Sequence, residues 1–425
     1  VDCVLILCVF VRKIPRNIWR VSQNKIMHPG VKKRSPHRHP FSPLPRVAIL
    51  VDTSTSWGRR VVKGINNYSL KHQAWQFFVE ARGLEERIQV PRGWDGDGVI
   101  ARVGNEIMAA DLQACRLPVV NVSGIELAKA GFPQVITDVT ALAALALQHF
   151  LDRGFRHFAY FSLLGLSYVA AQQRAFIAAA KKAGCDCDVY GVRSHIGAEP
   201  DWNLDSAKLQ TWLKVLPKPI GILTWNADSS RQLIYACELA KLHVPEEVAI
   251  LSGSDDDLMC EVSHIPISAI LVAAEQIGYQ AAELLDRLMK GQAIAKKKIL
   301  LTPNGIVTRQ STETMAIRDP ALVKAVSFIR AHADRLIQVE DVTRHAGISR
   351  RGLEMRFAEM LGRTPAEEIR RIHLERAKKL LLETDLPIPD VASGSGFGSP
   401  EYMTYVFRSE LKHTPLKYRK LMRGR

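Results

Sequence analysis

Residues 349–365 and 399–415 repeat one another at a spacing of 50 residues. Ser349, Phe357, Leu361, Thr364 and Pro365 recur as Ser399, Phe407, Leu411, Thr414 and Pro415. Each copy follows a glycine-containing turn, AGIS at 346–349 or GFGS at 396–399. Each turn follows a short amphipathic segment, VEDVTRHA or IPDVASGS. A short helix, a glycine turn and a second helix, written twice, make two helix-turn-helix units in tandem, and such a unit reads DNA by laying its second helix in a major groove.

The periodicity of each second helix separates a buried stripe from a free face. Leu353, Phe357 and Leu361 fall at i, i+4 and i+8, while Arg351, Glu354, Met355 and Ala358 lie on another face beside Arg350. In the second copy Met403, Phe407 and Leu411 make the stripe, and Glu401, Thr404, Tyr405 and Arg408 face outward next to Tyr402. Ser349 and Ser399 stand where N-caps belong, at the helix end that enters the groove. The candidate DNA contacts are therefore Ser349, Arg350, Arg351, Glu354 and Met355 in one unit, and Ser399, Glu401, Tyr402, Tyr405 and Arg408 in the other. Ile369, Ile372, Ala377 and Leu380 mark a long helix between the units. It could hold two recognition helices roughly 34–36 Å apart, one turn of DNA. A helical interaction bundle with no DNA role is the plainer alternative, but it leaves the repeated turn and the basic flanks unexplained. This stretch, about 322–420, resembles the DNA-binding domain of the AraC family of transcription regulators, which implies a double-stranded DNA operator as partner.

Charge is distributed to match. Residues 322–425 carry a net +7, residues 47–321 a net −1 and residues 1–46 a net +9. Basic character at the ends supplies phosphate attraction but no sequence preference. The opening VDCVLILCVFV is apolar but too short to span a bilayer, and basic residues follow it rather than precede it. KKRSPHRHPFSPLP at 32–45 is a basic Pro- and His-rich linker that builds no core, and His37 and His39 within it read as a solvated tail rather than a metal site. The expectation is a disordered leader over 1–45, with Met27 as the true start and residues 1–26 dispensable. The seven scattered cysteines are expected to be reduced thiols. Cys185 and Cys187 are too close for the usual zinc spacing.

The middle, 46–315, alternates apolar runs with amphipathic segments. RVAILVD, WQFFVEA, GDGVIARV, LPVVNVSG, HFAYFSL, GILTWN, VAILSGSD and ISAILV read as strands, with helices at about 57–72, 139–153, 168–184, 228–242 and 274–290. Continuous apolar strands alternating with helices make parallel sheets covered on both faces. Some 270 residues are too many for one such sheet, so two lobes are expected, joined near 150–160 and again near 265–310. The predicted fold class is thus an α/β two-lobed sensor followed, over 316–425, by an all-α domain with two helix-turn-helix units.

The runs RVAILVDTSTSWGRRVVKGINNY, GDGVIARV, LPVVNVSG, VPEEVAIL and IGYQAAELLDRLMKG resemble the LacI/GalR-type sugar-sensing domain, which shares the fold of periplasmic sugar-binding proteins. Such a sensor placed before an AraC-type domain is the order of the XylR-type regulators, and DPALVKAVSFIRAHADRLIQVEDV at 319–342 resembles that family too. The resemblance implies a small sugar effector, a homodimer, and activation through RNA polymerase in the cytoplasm.

In open α/β sheets ligands bind beyond the C-terminal strand ends. A sugar there needs aromatic faces for its C–H surface and polar side chains for its hydroxyls. Asp52, Ser56, Trp57 and Arg59 follow RVAILV, and Ser123 follows LPVVNV. Gln172 lies in the helix after HFAYFSL, Asn226 and Asp228 follow GILTW, and Asp255 follows VAILSGS. These nine are the candidate ligand contacts. For each one, local capping or packing is an equally good reading. The chain departs from the family at three of them. Gln172 stands where the family carries Arg, with Arg174 two residues on. The Asn-Asp pair becomes Asn226-Ala227-Asp228, and the family's later Asp aligns with Ser254, next to Asp255.

No nucleophile elbow, phosphate loop or H-E-x-x-H motif is present, so the expectation is no enzyme, no cofactor and no metal. Asp255–Asp257 in sequence reads as a loop rather than a Mg²⁺ site. A transport receptor on the same platform is the competing class, and the DNA-binding tail argues against it.

Overall fold

The computed structural model describes residues 44–79, 94–127, 131–193, 206–294, 297–314, 316 and 319–423. The leader through residue 43, with Met27, His37 and His39, lies outside the described residues.

Two six-stranded sheets form the sensor. The first contains β1 (Arg46–Leu50), β2 (Gln76–Val79), β3 (Gly98–Ala101), β4 (Val119–Asn121), β5 (Gln134–Thr137) and β11 (Lys298–Leu301) in the order β11-β5-β4-β3-β1-β2, all parallel. The second contains β6 (His157–Leu164), β7 (Cys187–Arg193), β8 (Ile220–Thr224), β9 (Val248–Ser252), β10 (Ser268–Ile270) and β12 (Ile306–Val307) in the order β12-β10-β9-β8-β6-β7. Among the described strands only β12 runs antiparallel to its neighbour. Strands β3, β8 and β9 are buried along their whole length, as continuous apolar runs require when helices cover both faces. Those helices are α1 (Ser56–Lys71), α2 (Glu106–Ala114), α3 (Val139–Leu151), α4 (Ser167–Lys182), α5 (Ser206–Val215), α6 (Ala227–Leu239), α7 (Asp257–Glu261) and α8 (Ala274–Met289).

The chain passes between the sheets three times: through α3, through α8, and between β11 and β12. The sequence suggested one passage near 265–310. That window holds two, because β11 is a short strand added to the far edge of the first sheet before the chain returns. Helices α1 and α8 touch at glycines. A Cβ on Gly64 would stand 1.9 Å from the Glu275 carbonyl oxygen, and one on Gly278 would stand 2.0 Å from that of Val61. Beside this contact the buried Tyr68 hydroxyl donates to Asp286 at 3.0 Å.

The C-terminal part is helical: α9 (Pro320–Ala331), α10 (Val339–Ala346), α11 (Arg350–Leu361), α12 (Pro365–Glu383), α13 (Ile388–Gly394), α14 (Pro400–Leu411) and α15 (Pro415–Arg423). It has two separate cores. Leu322, Val326, Ile329, Val342, Leu353, Phe357 and Ile369 form one. Leu374, Ala377, Leu381, Val391, Met403, Phe407 and Tyr418 form the other. Helix α12 supplies residues to both and is the rod between the units. Ser349 and Ser399 accept hydrogen bonds from the Gly352 and Tyr402 N–H groups and so cap α11 and α14. Thr364 and Thr414 repeat the device on α12 and α15. The left-handed turn residue shifts by one position between the copies, from Gly347 (φ 70°) to Gly396 (φ 74°).

The first unit is docked on the sensor through buried charge. Arg363 and Arg371 donate to the two carboxylate oxygens of Asp152, at the end of α3, at 2.9 and 3.1 Å. Both also hold the fully buried Glu368, at 2.6 and 2.8 Å. Next to them His149 and Arg153 are buried, with an Arg153 guanidinium nitrogen 3.1 Å from His149 Nδ1.

Two outcomes follow. Gly278→Ala should cost about 1–3 kcal/mol by forcing α1 and α8 apart; unchanged denaturant melts would show that the helices tolerate separation. The second concerns His149. Burial, reinforced by Arg153, Arg330 and Arg371, holds its pKa well below the ordinary range. The unfolded chain therefore takes up the proton first. This contribution to stability is complete above about pH 6.5 and declines as the pH falls below it. His149→Gln should flatten the fall in melting temperature between about pH 7 and pH 5; an unchanged slope would place the titration elsewhere.

Candidate nucleic-acid interface and effector cleft

The capped ends of α11 and α14 carry the outward residues. On α11, Arg350, Arg351, Glu354 and Met355 are exposed, and Met355 retains 61 % of its surface. Arg350 is already paired, at 2.6 Å with Glu340 and 3.0 Å with Glu354. Among the described residues this leaves Arg351 as the cation without an ion pair on that face. On α14, Glu401, Tyr402, Tyr405 and Arg408 are exposed. The Tyr402 and Tyr405 rings lie stacked, 6.3 Å between centroids, and Tyr405 keeps 65 % exposure. A large apolar group left in water at the mouth of a capped helix suits contact with base edges and thymine methyl groups. The pairing of the two tyrosines was not apparent from the sequence, where they are simply three residues apart. One helical turn brings them together.

The cleft between the sheets is lined from both sides. The Arg102 guanidinium, just past β3, lies 5.7 Å from the Trp57 ring centroid on α1 and 5.9 Å from that of Tyr168 on α4. The Trp225 ring meets Tyr168 edge-on at 6.0 Å. Burial raises the Tyr168 hydroxyl's pKa and Arg102 opposes it. Gln172 is buried, and among the described residues its Nε2 and the buried Trp225 Nε1 have no hydrogen-bond partner. Gly253 makes room for Gln172: a Cβ there would stand 2.3 Å from Nε2. Buried donors without acceptors leave hydrogen-bonding capacity that a polar ligand would satisfy.

The remaining candidates are placed differently. Asp255 is buried, with one oxygen on Arg60 at 3.2 Å and the other on Arg309 at 3.1 Å. Arg60 also pairs with Asp257. Ser56 donates to the Asp255 carbonyl at 3.1 Å. Since Ser56 and Arg60 sit on α1, these bonds tie one lobe to the other. Asp52 accepts from the Ser54 N–H and hydroxyl at 2.9 and 2.7 Å. Ser123 accepts from Ile125 N–H at 3.1 Å, and Asn226 caps α6 through Ser229 N–H at 2.9 Å. Arg59 is exposed and donates to the Thr53 and Ser54 carbonyls. Asp228 and Arg174 are exposed, so Arg174 does not stand in for the arginine replaced by Gln172. Asp256 caps α7. Among the described residues no group of three or more potential metal ligands converges, no helix is long and apolar enough to cross a membrane, and Cys115, Cys185, Cys187, Cys237 and Cys260 are free. Sequence reasoning missed Arg102 and Arg309. Each lies beyond a strand end, but its importance comes from a partner far along the chain.

Family descriptions match most of the chain: an XylR N-terminal domain at residues 46–141, a periplasmic binding protein-like domain at 147–312 and a helix-turn-helix domain at 342–421. The Escherichia coli (strain K12) xylose operon regulatory protein is 31 % identical over 390 residues, 89 % of this chain and 98 % of that protein. The Haemophilus influenzae xylose operon regulatory protein is 31 % identical over 383 residues, 88 % and 98 % of the two chains. The solved structure of the xylose-binding transcription activator XylR aligns with TM-score 0.57 and 29 % identity over 90 % of this chain and 99 % of that one. The Lactococcus lactis regulator CcpA, 16 % identical with TM-score 0.51 over 64 % of this chain and all of its own, shares the sensor fold. These relatives are transcription regulators and not enzymes. The chain belongs to the XylR-type family of sugar-responsive, DNA-binding transcription regulators, in which a periplasmic-binding-protein-like sensor precedes an AraC-type domain.

Proposed function

We propose that this protein binds xylose or a related sugar between its lobes and activates a carbohydrate-utilisation operon as a cytoplasmic homodimer that engages RNA polymerase. The observation that carries the effector reading is the cleft itself: the Trp57 and Tyr168 rings beside Arg102, the Trp225 ring edge-on to Tyr168, and donors on Gln172 and Trp225 that have no partner among the described residues. Aromatic faces take the sugar's C–H surface, and the donors take its oxygens. Ser56 and Asp255 hold the lobes together around it. Asp52, Ser123, Asn226 and Asp228 are assigned to the cleft's polar rim because they follow the C-terminal ends of β1, β4 and β8. Full-length similarity to xylose operon regulators supports the same reading. The Gln172 and Asp255 departures alter the hydrogen-bond vectors, so the preferred hydroxyl pattern need not be that of xylose. Ligand shifts the protein between states only to the extent that it binds one of them better.

For DNA we propose that Ser349, Arg351, Glu354 and Met355, with Arg350 held beside them, read one half of the operator. Ser399, Glu401, Tyr402, Tyr405 and Arg408 read the other half.

A thermal-shift screen over pentoses and hexoses should show at least one stabilising sugar, with the gain following mass action, about 2.7 kcal/mol at a hundredfold excess over Kd. Gln172→Ala should abolish that shift and leave DNA binding intact. A wild type that responds to no monosaccharide would remove the effector assignment. For the DNA face, selection from random duplexes should give a bipartite site. Arg351→Ala and Glu354→Ala should each relax one half by about 1–3 kcal/mol, and Tyr405→Ala the other half, one DNA turn away. Footprints in which both sets affect the same bases would refute two-groove reading.

A further inference from the structure

We infer that Arg309 is a positioning residue that couples the effector cleft to the first helix-turn-helix unit, through a one-way hydrogen-bonded chain ending at Arg153, whose sequence neighbour Asp152 holds the ion cluster. This rests on the reading of the protein as an effector-responsive regulator.

The chain can be followed atom by atom. At the cleft, Arg309 donates to Asp255 Oδ1 at 3.1 Å and to the Ile267 carbonyl at 2.9 Å. The other Asp255 oxygen is taken by Arg60 on α1, from the opposite lobe. Behind the cleft, Arg309 N–H donates to Ser268 Oγ at 2.8 Å, and the Ser268 hydroxyl donates back to the Arg309 carbonyl at 2.8 Å. Ser268 Oγ is also 2.7 Å from Thr312 Oγ1, which is 2.8 Å from His149 Nε2. His149 Nδ1 faces an Arg153 guanidinium nitrogen at 3.1 Å, and Arg153 Nε donates to the Thr312 carbonyl at 2.9 Å. Asp152, adjacent in sequence, receives Arg363 and Arg371 of the DNA-binding domain.

Chemistry fixes the direction of every link. A guanidinium only donates, so His149 Nδ1 accepts and its proton sits on Nε2. That proton goes to Thr312 Oγ1. The Thr312 hydroxyl proton therefore goes to Ser268, and that of Ser268 to the Arg309 carbonyl. No hydroxyl has a spare proton with which to reverse its role. Ser268 and Thr312 are fully buried, and His149 and Arg153 nearly so, so a broken link would find no water to replace it. The chain is thus either made or broken. Its cleft end is Asp255, which Arg60 and Arg309 share. When the lobes separate, Arg60 leaves and Arg309 alone must balance the buried carboxylate. When they close, the charge is shared. A change in lobe contact therefore alters the hold on Arg309, whose backbone anchors Ser268, and the effect reaches the end of α3 where the first unit is docked. A two-state element biased from both ends is what such coupling requires.

Hydrogen–deuterium exchange on the full chain without any sugar tests this. Arg309→Gln, the near-isosteric Thr312→Val and Asp152→Asn should each raise exchange in peptides covering 363–371 by about threefold or more over wild type. Arg309→Gln alters the cleft end and Thr312→Val breaks the middle; Thr312→Val decides the matter if Arg309→Gln does not fold. If Asp152→Asn raises exchange at 363–371 while both Thr312→Val and any folded Arg309→Gln protein match wild type there, the coupling is overturned. The same holds if their effects stop at 255–312. A parallel arm with D-xylose on the wild type keeps the two readings apart. Failure of the sugar to bind counts against the effector assignment alone, because the variant comparison contains no sugar.

Discussion

Buried charge between sensor and DNA-binding domain is the constraint that the rest of the arrangement answers to. Asp152 and Glu368 are both nearly or wholly removed from water, and each is held by Arg363 and Arg371. Burial pushes the Glu368 carboxyl upward, but the hydrogen bond and charge of Arg371, with Arg363 and Arg330, outweigh it and keep the group below the usual carboxylate range. Arg153, buried nearby among like charges, is brought down to about 9. Such a cluster gains little net stability over an apolar contact, while loss of a single partner costs about 3–5 kcal/mol. What it provides is geometry. The guanidinium planes fix the start of α12 against the end of α3, whereas each helix-turn-helix unit folds around its own apolar core. Orientation and folding are thus carried by different forces, and one can change without the other.

The parts of the molecule that depend on short-range pattern were readable in the sequence. The paired stripes through Phe357 and Phe407, the serine caps and the five long sensor helices all lie where their periodicity put them. The edge strands were read unevenly: β2 lies within WQFFVEA, but β7, β11 and β12 were not recognised, and neither was the interior β5. In the sequence β11 opens on the last of three lysines, β12 is two residues long, and β7 starts at the second of two nearby cysteines and is broken by Asp188 and Gly191. Edge strands need only one neighbour, so they carry no continuous apolar signature. Helix α2 was missed for a related reason: only Ala109 and Leu112 face the core.

The candidate site shows the same division more sharply. Positions just past a strand end, such as Asp52 and Ser123, could be found because the fold class dictates where a cleft opens. Whether a residue there is available to a ligand is decided by partners that can be 200 residues away. Asp255 looks like a free ligand group in sequence, yet each of its oxygens is already held by an arginine, Arg60 or Arg309. Arg102 looks like an ordinary strand terminus, yet it stands between two aromatic rings from opposite lobes. Charge complementarity over long separations has no local pattern.

The tandem units are alike in their cores and different in their exposed faces, and this bears on how one chain can recognise an asymmetric site. Phe357 and Phe407 are equivalent and fully buried, so the scaffold is the same. The exposed faces differ: Arg351, Glu354 and Met355 on α11 offer charge and a flexible thioether, while Tyr402 and Tyr405 on α14 offer a stacked aromatic pair. Helix α12 joins them. Its 19 residues run about 28 Å at 1.5 Å per residue, somewhat short of the roughly 34 Å between successive major grooves. Ile369 packs into the first core near one end, and Leu381 packs into the second near the other. The rod therefore sets most of the spacing, and the offset of each recognition helix from it must supply the remainder. Because the first unit is also docked on the sensor by Arg363 and Arg371, turning that unit would swing the rod and carry the second unit through a larger arc. A small change at the Asp152 contact would thus alter the register of the two units on DNA more than the position of either core.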